Sequence, residues 1–195
     1  MAKYTVTIYT PQELSQSSYM QTGLFEMAHK GFIDVAVKIN ASKNLGRIIF
    51  NQTDGILETQ QSFPKVSFYK LTNNSTKKSV TFATDLYDFS NQFSVAALEK
   101  CDYVFKRNYE HKYITKLSDK HQEKIHPFNL TFWVQSEYKS NDIKFFLGLL
   151  ASNLNVNLKF DGYFFKRLIA SYKAQLKHWS FIKTSRNLNR YEKQE

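Results

Sequence analysis

Polar and apolar residues alternate along the first third of the chain, and a period of two is the mark of a half-buried strand. The alternation of Tyr4, Val6 and Ile8 with Thr5 and Thr7 predicts a strand over residues 4–10. Pro11 ends that run, and the polar stretch 12–18 reads as a loop. Tyr19, Gly23, Leu24, Met27 and Ala28 then recur at three- and four-residue steps, the spacing of one helix face. Gly31 stands where a C-cap is expected. Alternation returns over 33–39 and 46–50, predicting a second and a third strand, with a turn over 51–55. A fourth strand is expected over 66–71 and a polar turn over 72–78. The short, nearly unbroken apolar run 80–84 reads as a strand covered on both faces.

The period then lengthens. Phe93, Ala96, Ala97 and Cys101 share a helical face, residues 103–105 read as a strand, and 109–117 as a helix. A charged turn over 119–124 leads to Pro127. The last third reads as helical. Asp142 is placed to cap residues 143–153, and Asp161 to cap a longer helix. On that helix Phe165, Leu168, Ile169, Tyr172, Leu176 and Trp179 form an apolar stripe, with Lys166, Lys173 and Lys177 off it. Strands and helices interleave, so the expected class is α/β: an open, mostly parallel sheet with helices on both faces and a helical C-terminal part. No repeat or linker divides the chain. One domain is expected over 1–185, followed by a polar tail over 186–195.

Composition narrows the function classes. With 195 residues the chain can build a real core, and its 16% aromatic content rules out a disordered segment. The lone Cys101 excludes a disulfide framework and a cysteine zinc cluster, and its apolar surroundings read as those of a core thiol. His111, His121 and His126 lack the spacing and carboxylate company of a zinc site, so no metal and no cofactor is expected. The chain has no apolar run of about 18 residues and no secretory h-region, so the expected location is cytoplasmic. The net charge of +10 is uneven: residues 1–98 carry 9 Lys+Arg against 7 acids, and 99–195 carry 18 against 10. Such a surface draws anionic partners, whether nucleic acid, anionic lipid or a phosphorylated substrate. The plain alternative is a solvated basic face.

Two stretches carry candidate chemistry. Phe82-Ala83-Thr84-Asp85-Leu86-Tyr87-Asp88-Phe89-Ser90 ends an apolar strand and delivers Asp85 and Asp88 beyond its carboxyl end, where open α/β sheets bind ligands. Each acid reads as a general base or a hydroxyl-binding carboxylate, or else as a helix N-cap and a surface acid. Cys101-Asp102-Tyr103-Val104-Phe105-Lys106-Arg107-Asn108-Tyr109 ends a second strand in a cation pair. Lys106 and Arg107 there suit a phosphate. The scaffold alternative is a solvated lysine, with the arginine paired to Asp85 or Asp88. Phosphate loops, dinucleotide fingerprints and hydrolase elbows are absent.

These two stretches, with Lys124-Ile125-His126-Pro127-Phe128-Asn129-Leu130-Thr131-Phe132, resemble the N-terminal domain of bacterial GT-B-type glycosyltransferases of surface polysaccharide synthesis. The resemblance is clearest over residues 80–132. It implies a Rossmann-like acceptor-side domain, with the nucleotide-sugar donor bound by a second domain expected beyond Glu195, and therefore no transfer by this chain alone. The implied acceptor is a glycan or a lipid-linked sugar. Asp85 or Asp88 would deprotonate its hydroxyl, and Lys106, Arg107 and Tyr109 would hold it or its phosphate. Lys166, Arg167, Lys173 and Lys177 would face an anionic membrane surface at the inner side of the cell membrane. The loop after the first strand departs from the pattern, being rich in Ser and Gln rather than Gly. A basic module that docks nucleic acid or a membrane without catalysis is the alternative. The aromatic positions fall largely at core spacings, which argues against nucleic acid.

Overall fold

The computed structural model describes residues 2–9, 14–38, 46–52, 55–60 and 65–128. In chain order these form strand β1 (Tyr4–Tyr9), helix α1 (Leu14–His29), and strands β2 (Asp34–Lys38), β3 (Arg47–Gln52), β4 (Gly55–Gln60), β5 (Val66–Asn73), β6 (Ser79–Asp85) and β7 (Gln92–Ser94). Helix α2 (Val95–Lys100), strand β8 (Tyr103–Lys106), the single turns α3 (His111–Ile114) and α4 (Asp119–Gln122), and strand β9 (Ile125–Pro127) follow. Six strands make one sheet in the order β2-β1-β5-β6-β8-β9, and β4-β3-β7 make a second. The class is α/β.

The larger sheet is mixed. The pairs β1–β2, β6–β8 and β8–β9 are parallel, and each is bridged by helical segments, as a parallel crossover requires. Strand β5 instead pairs antiparallel with both β1 and β6. The reason lies in the polar turn after β5. Asn73 Oδ1 accepts from the backbone N–H groups of Ser75 and Thr76 at 3.0 and 3.1 Å, an Asx-type turn that closes a β5–β6 hairpin. A hairpin forces antiparallel pairing, so the expected mostly parallel sheet becomes a mixed one.

Alternation along these strands sorts side chains to two faces. Phe68, Ala83, Val104 and Ile125 are register partners across β5, β6, β8 and β9. They pack with Phe93, Ala96, Ala97, Leu98, Ile114 and Leu117 in the larger core. Ile8 and Tyr69, also register partners, belong with Val6, Leu24 and Ile33 to the other core. Helix α1 ends as a Schellman motif: Phe32 N–H donates to Met27 O and Gly31 N–H to Ala28 O, both at 3.0 Å. Gly31 takes φ +77°, the left-handed conformation that the motif needs.

Several sequence expectations change. Residues 14–18, expected as loop, are the first turns of α1. Leu14 and Gln16 are good helix formers and Ser a middling one, so the polar composition hid a segment compatible with helix. Met27, expected on the packed face of that helix, is 43% exposed. Of the turn expected over 51–55, Asn51 and Gln52 lie in β3 and Gly55 opens β4, a strand not expected over 56–60, whose residues are all exposed. A strand with no buried face leaves no alternation to find. Phe93, expected on a helix face, lies in β7 and pairs with Ile49. The helix expected over 109–117 shrinks to the single turn α3, and the charged turn over 119–124 contains α4 and leads into β9. The helices expected over 143–153 and 161–182 lie outside the described residues. Among the described residues no helix is long and apolar enough to cross a membrane.

Candidate functional site at the carboxyl edge of β6 and β8

The parallel register sets Asp85, Lys106 and Pro127 abreast as the last residues of β6, β8 and β9. Ligands of open α/β sheets bind beyond this edge. Lys65 joins it from the start of β5, because Leu86 N–H donates to Lys65 O at 2.8 Å. Arg107 joins it from β8, its N–H donating to Asp85 O at 3.0 Å. Residues far apart in sequence are thus gathered by backbone pairing alone.

The edge has an inner, dry layer. Asp85 and Lys106 are both fully buried, with Lys106 Nζ 3.3 Å from Asp85 Oδ1. Asp85 Oδ1 also accepts from Tyr87 N–H at 3.2 Å and Oδ2 from Ser94 N–H at 3.0 Å. Lys106 Nζ further donates to Phe89 O at 3.4 Å and lies 4.9 Å from the Phe93 ring centroid, a cation–π distance. Burial of a charge is costly unless it is paired and hydrogen-bonded, and here both conditions are met. The pair fixes the whole loop 86–94. Its far end is the N-cap of α2, where Ser94 Oγ accepts from Ala97 N–H at 3.2 Å.

Above it lies a second layer, in which Asp88 and Lys65 are exposed and the Arg107 side chain is only 10% exposed. The Asp88 side chain is 50% exposed and stands between two cations. Arg107 Nη2 is 2.6 Å from Asp88 Oδ1, and Lys65 pairs with Oδ2. Hydrogen bonding from Lys65 first, then from Arg107, with both positive charges adding, holds the Asp88 carboxyl below the usual aspartate range despite some desolvation. Asn108 Nδ2 donates to Asp88 O, and Ser90 Oγ donates to Glu110 Oε1 at 2.6 Å. Chemically, this layer offers an ionised acceptor flanked by an ammonium and a guanidinium.

The structure therefore brings Asp85, Asp88, Lys106 and Arg107 to one edge but separates their roles. Asp85 has no exposed surface and so no access to a ligand; its expected role as base gives way to that of an internal anchor. Neither acid caps a helix, the cap of α2 being Ser94. Lys106, for which both sequence readings needed an accessible side chain, is inside and paired with Asp85 rather than solvated. Arg107 makes the predicted pairing with Asp88. Tyr109 is 37% exposed, next to Asn108. Lys166, Arg167, Lys173 and Lys177 lie outside the described residues. Cys101 is buried and its thiol is pushed up to about 12, chiefly by desolvation, as befits a core thiol. Lys65 and Ser94 carried no signal in the sequence, whereas Phe89 and Asn108 lie inside the two candidate stretches without a role of their own there. Compared with protein-family models, curated proteins and solved structures, the chain matches none.

Proposed function

We propose that the chain is the acceptor-side domain of a GT-B-type glycosyltransferase, Rossmann-like in topology, with the carboxyl edge of β6 and β8 as its acceptor subsite. In this reading a second domain binds the nucleotide-sugar donor, and transfer to a glycan or lipid-linked sugar occurs between the two. One observation carries the proposal: the half-exposed Asp88 carboxylate bracketed by Lys65 and Arg107 at that edge. A sugar presents adjacent hydroxyls, each both donor and acceptor. An acceptor-only carboxylate beside two donor-only cations matches such a pair, with one hydroxyl donating to Asp88 and its neighbour accepting from Arg107 or Lys65. The same cations suit a phosphate on a lipid-linked acceptor.

The depressed pKa of Asp88 supports the hydroxyl-binding reading over that of a general base. An efficient general base has a pKa near the working pH, whereas Asp88 is shifted the other way. Asp88 is therefore assigned as a hydroxyl-binding carboxylate that orients the acceptor. Asp85 and Lys106 hold the loop beneath it. Tyr109, the residue after Asn108, is a further acceptor contact in this reading.

The test is calorimetric titration of the chain with a neutral disaccharide, with a nucleotide-sugar and with the octanucleotide (dT)8. The expected result is binding of the disaccharide alone. Its affinity should stay flat from about pH 5 to about pH 9, above the carboxylate range and below the lysine range. Because the folded pKa of Asp88 lies below its ordinary value, the charge that binding needs is present throughout that window and is lost only as pH falls through the depressed value. Binding of (dT)8 with a steep salt dependence and no disaccharide binding would replace this reading with the nucleic-acid one.

A further inference from the structure

Among the described residues the two sheets end in four edge strands, β2 and β9 in the larger and β4 and β7 in the smaller. An edge strand carries a row of unpaired backbone groups, and proteins blunt it with charge, proline or brevity. Three of these edges are blunted in that way. Strand β2 opens with Asp34 and closes with Lys38, β9 has three residues and includes Pro127, and β7 has three residues, all buried. Strand β4 has none of these devices. It runs Gly55-Ile56-Leu57-Glu58-Thr59-Gln60, exposed throughout, with neither lysine nor proline. Ile56 is 58% and Leu57 54% exposed. The single charge of the strand, on Glu58, is paired with Arg47 of β3.

The direction of the unpaired groups follows from β3. Asn51 N–H donates to Asn91 O at 2.8 Å, on the β7 side of β3 and therefore away from β4. Asn51 and its register partner Ile56 are thus a non-hydrogen-bonded pair. By alternation the N–H and C=O groups of Ile56 and Glu58 point outward from the sheet, and those of Leu57 point to β3. We infer that β4 is a self-association edge, at which two copies of this chain pair antiparallel about a two-fold axis through Leu57. That register sets Ile56 against Glu58 of the second copy, so outward-pointing groups meet as hydrogen-bonded pairs. It sets Leu57 against its own equivalent at a non-hydrogen-bonded position, where side chains come closest. Phe50, the register partner of Leu57, continues the apolar row on either side. An axis through Glu58 would set two carboxylates face to face, which disfavours it. The strand is thus complementary to itself: apolar at the axis, with no like charges opposed. A six-residue edge is small against the about 1,200–2,000 Å² of a stable interface, so the association is weak and depends on concentration.

The test is sedimentation velocity of the full chain over a concentration series up to about 1 mM, with backbone amide hydrogen exchange alongside. The expected result is a monomer–dimer equilibrium in which the Ile56 and Glu58 amides exchange more slowly as the dimer forms. Leu57→Lys and Leu57→Glu each place like charges at the axis and should each weaken association by about tenfold or more. Leu57 is exposed, so both variants should keep the circular dichroism spectrum of the parent. Mixing the two variants sets opposite charges across the axis and should restore pairing as a heterodimer, which a folding defect would not do. A dimer that neither variant weakens would put the interface elsewhere and overturn the inference. So would a monomer at every concentration, including one whose Ile56 and Glu58 amides are already protected because another part of the chain covers the edge. Failure of the mixture to pair would overturn the two-fold register.

Discussion

Lys106→Met should destabilise the chain by about 3–5 kcal/mol, because it leaves the Asp85 carboxylate charged, buried and without its counter-ion. For a domain of this size that corresponds to a fall in Tm of roughly 10 °C. The magnitude follows from complete burial: both side chains are withdrawn from water, so no solvent replaces the lost partner. Asp85→Ala should cost at least as much, since it strands Lys106 and also leaves the N–H groups of Tyr87 and Ser94 without their carboxylate. Combining the two should cost less than the sum, because the second change removes the charge that the first left unpaired. Urea unfolding of the two single variants and the double variant reads all three quantities. Single variants within 1 kcal/mol of the parent, about the worth of an exposed pair, would show that the pair is not the internal anchor described above.

Asp88→Ala should behave differently. Its side chain is half exposed and Lys65 stays solvated, but the Arg107 side chain is only 10% exposed, so stability should fall by about 1–3 kcal/mol, less than for Asp85→Ala. Disaccharide affinity should also fall at least about tenfold, because hydrogen bonds to a charged group are worth about 1.5–3 kcal/mol and water does not replace a fixed acceptor aimed at the ligand. Arg107→Ala should weaken binding similarly but also loosen the loop, since the guanidinium links β8 to Asp88. The contrast between the two aspartates, three residues apart, is the sharpest consequence of the layering. Loss of Asp85 falls on stability, and loss of Asp88 falls on binding as well.

Much of this was legible in the sequence. The parallel strands announced themselves by apolar runs that end in charged residues, and the ends of β6 and β8 placed Asp85 and Lys106 at one edge before any coordinates. What sequence does not carry is depth. Asp85 and Asp88 look equivalent in a string, yet one follows the inward parity of Ala83 and the other has left the strand. Lys106 reads as a surface cation because lysines almost always are. Only register with Asp85 explains its burial. Strand β4 escaped because Ile56 and Leu57 are adjacent and exposed, so no alternating burial marked it. The helical start of α1 escaped because Gln and Ser look like loop residues.

The role assigned to Asp88 requires that a saccharide bind where β6 and β8 end. Mapping of backbone amide chemical shifts during titration with cellobiose addresses that claim residue by residue. Perturbations should concentrate at residues 86–90 and 107–110 and at Lys65, and the hairpin turn at 73–78 should stay silent. Saturable shifts confined to any other part of the chain, or none at millimolar sugar, would contradict it.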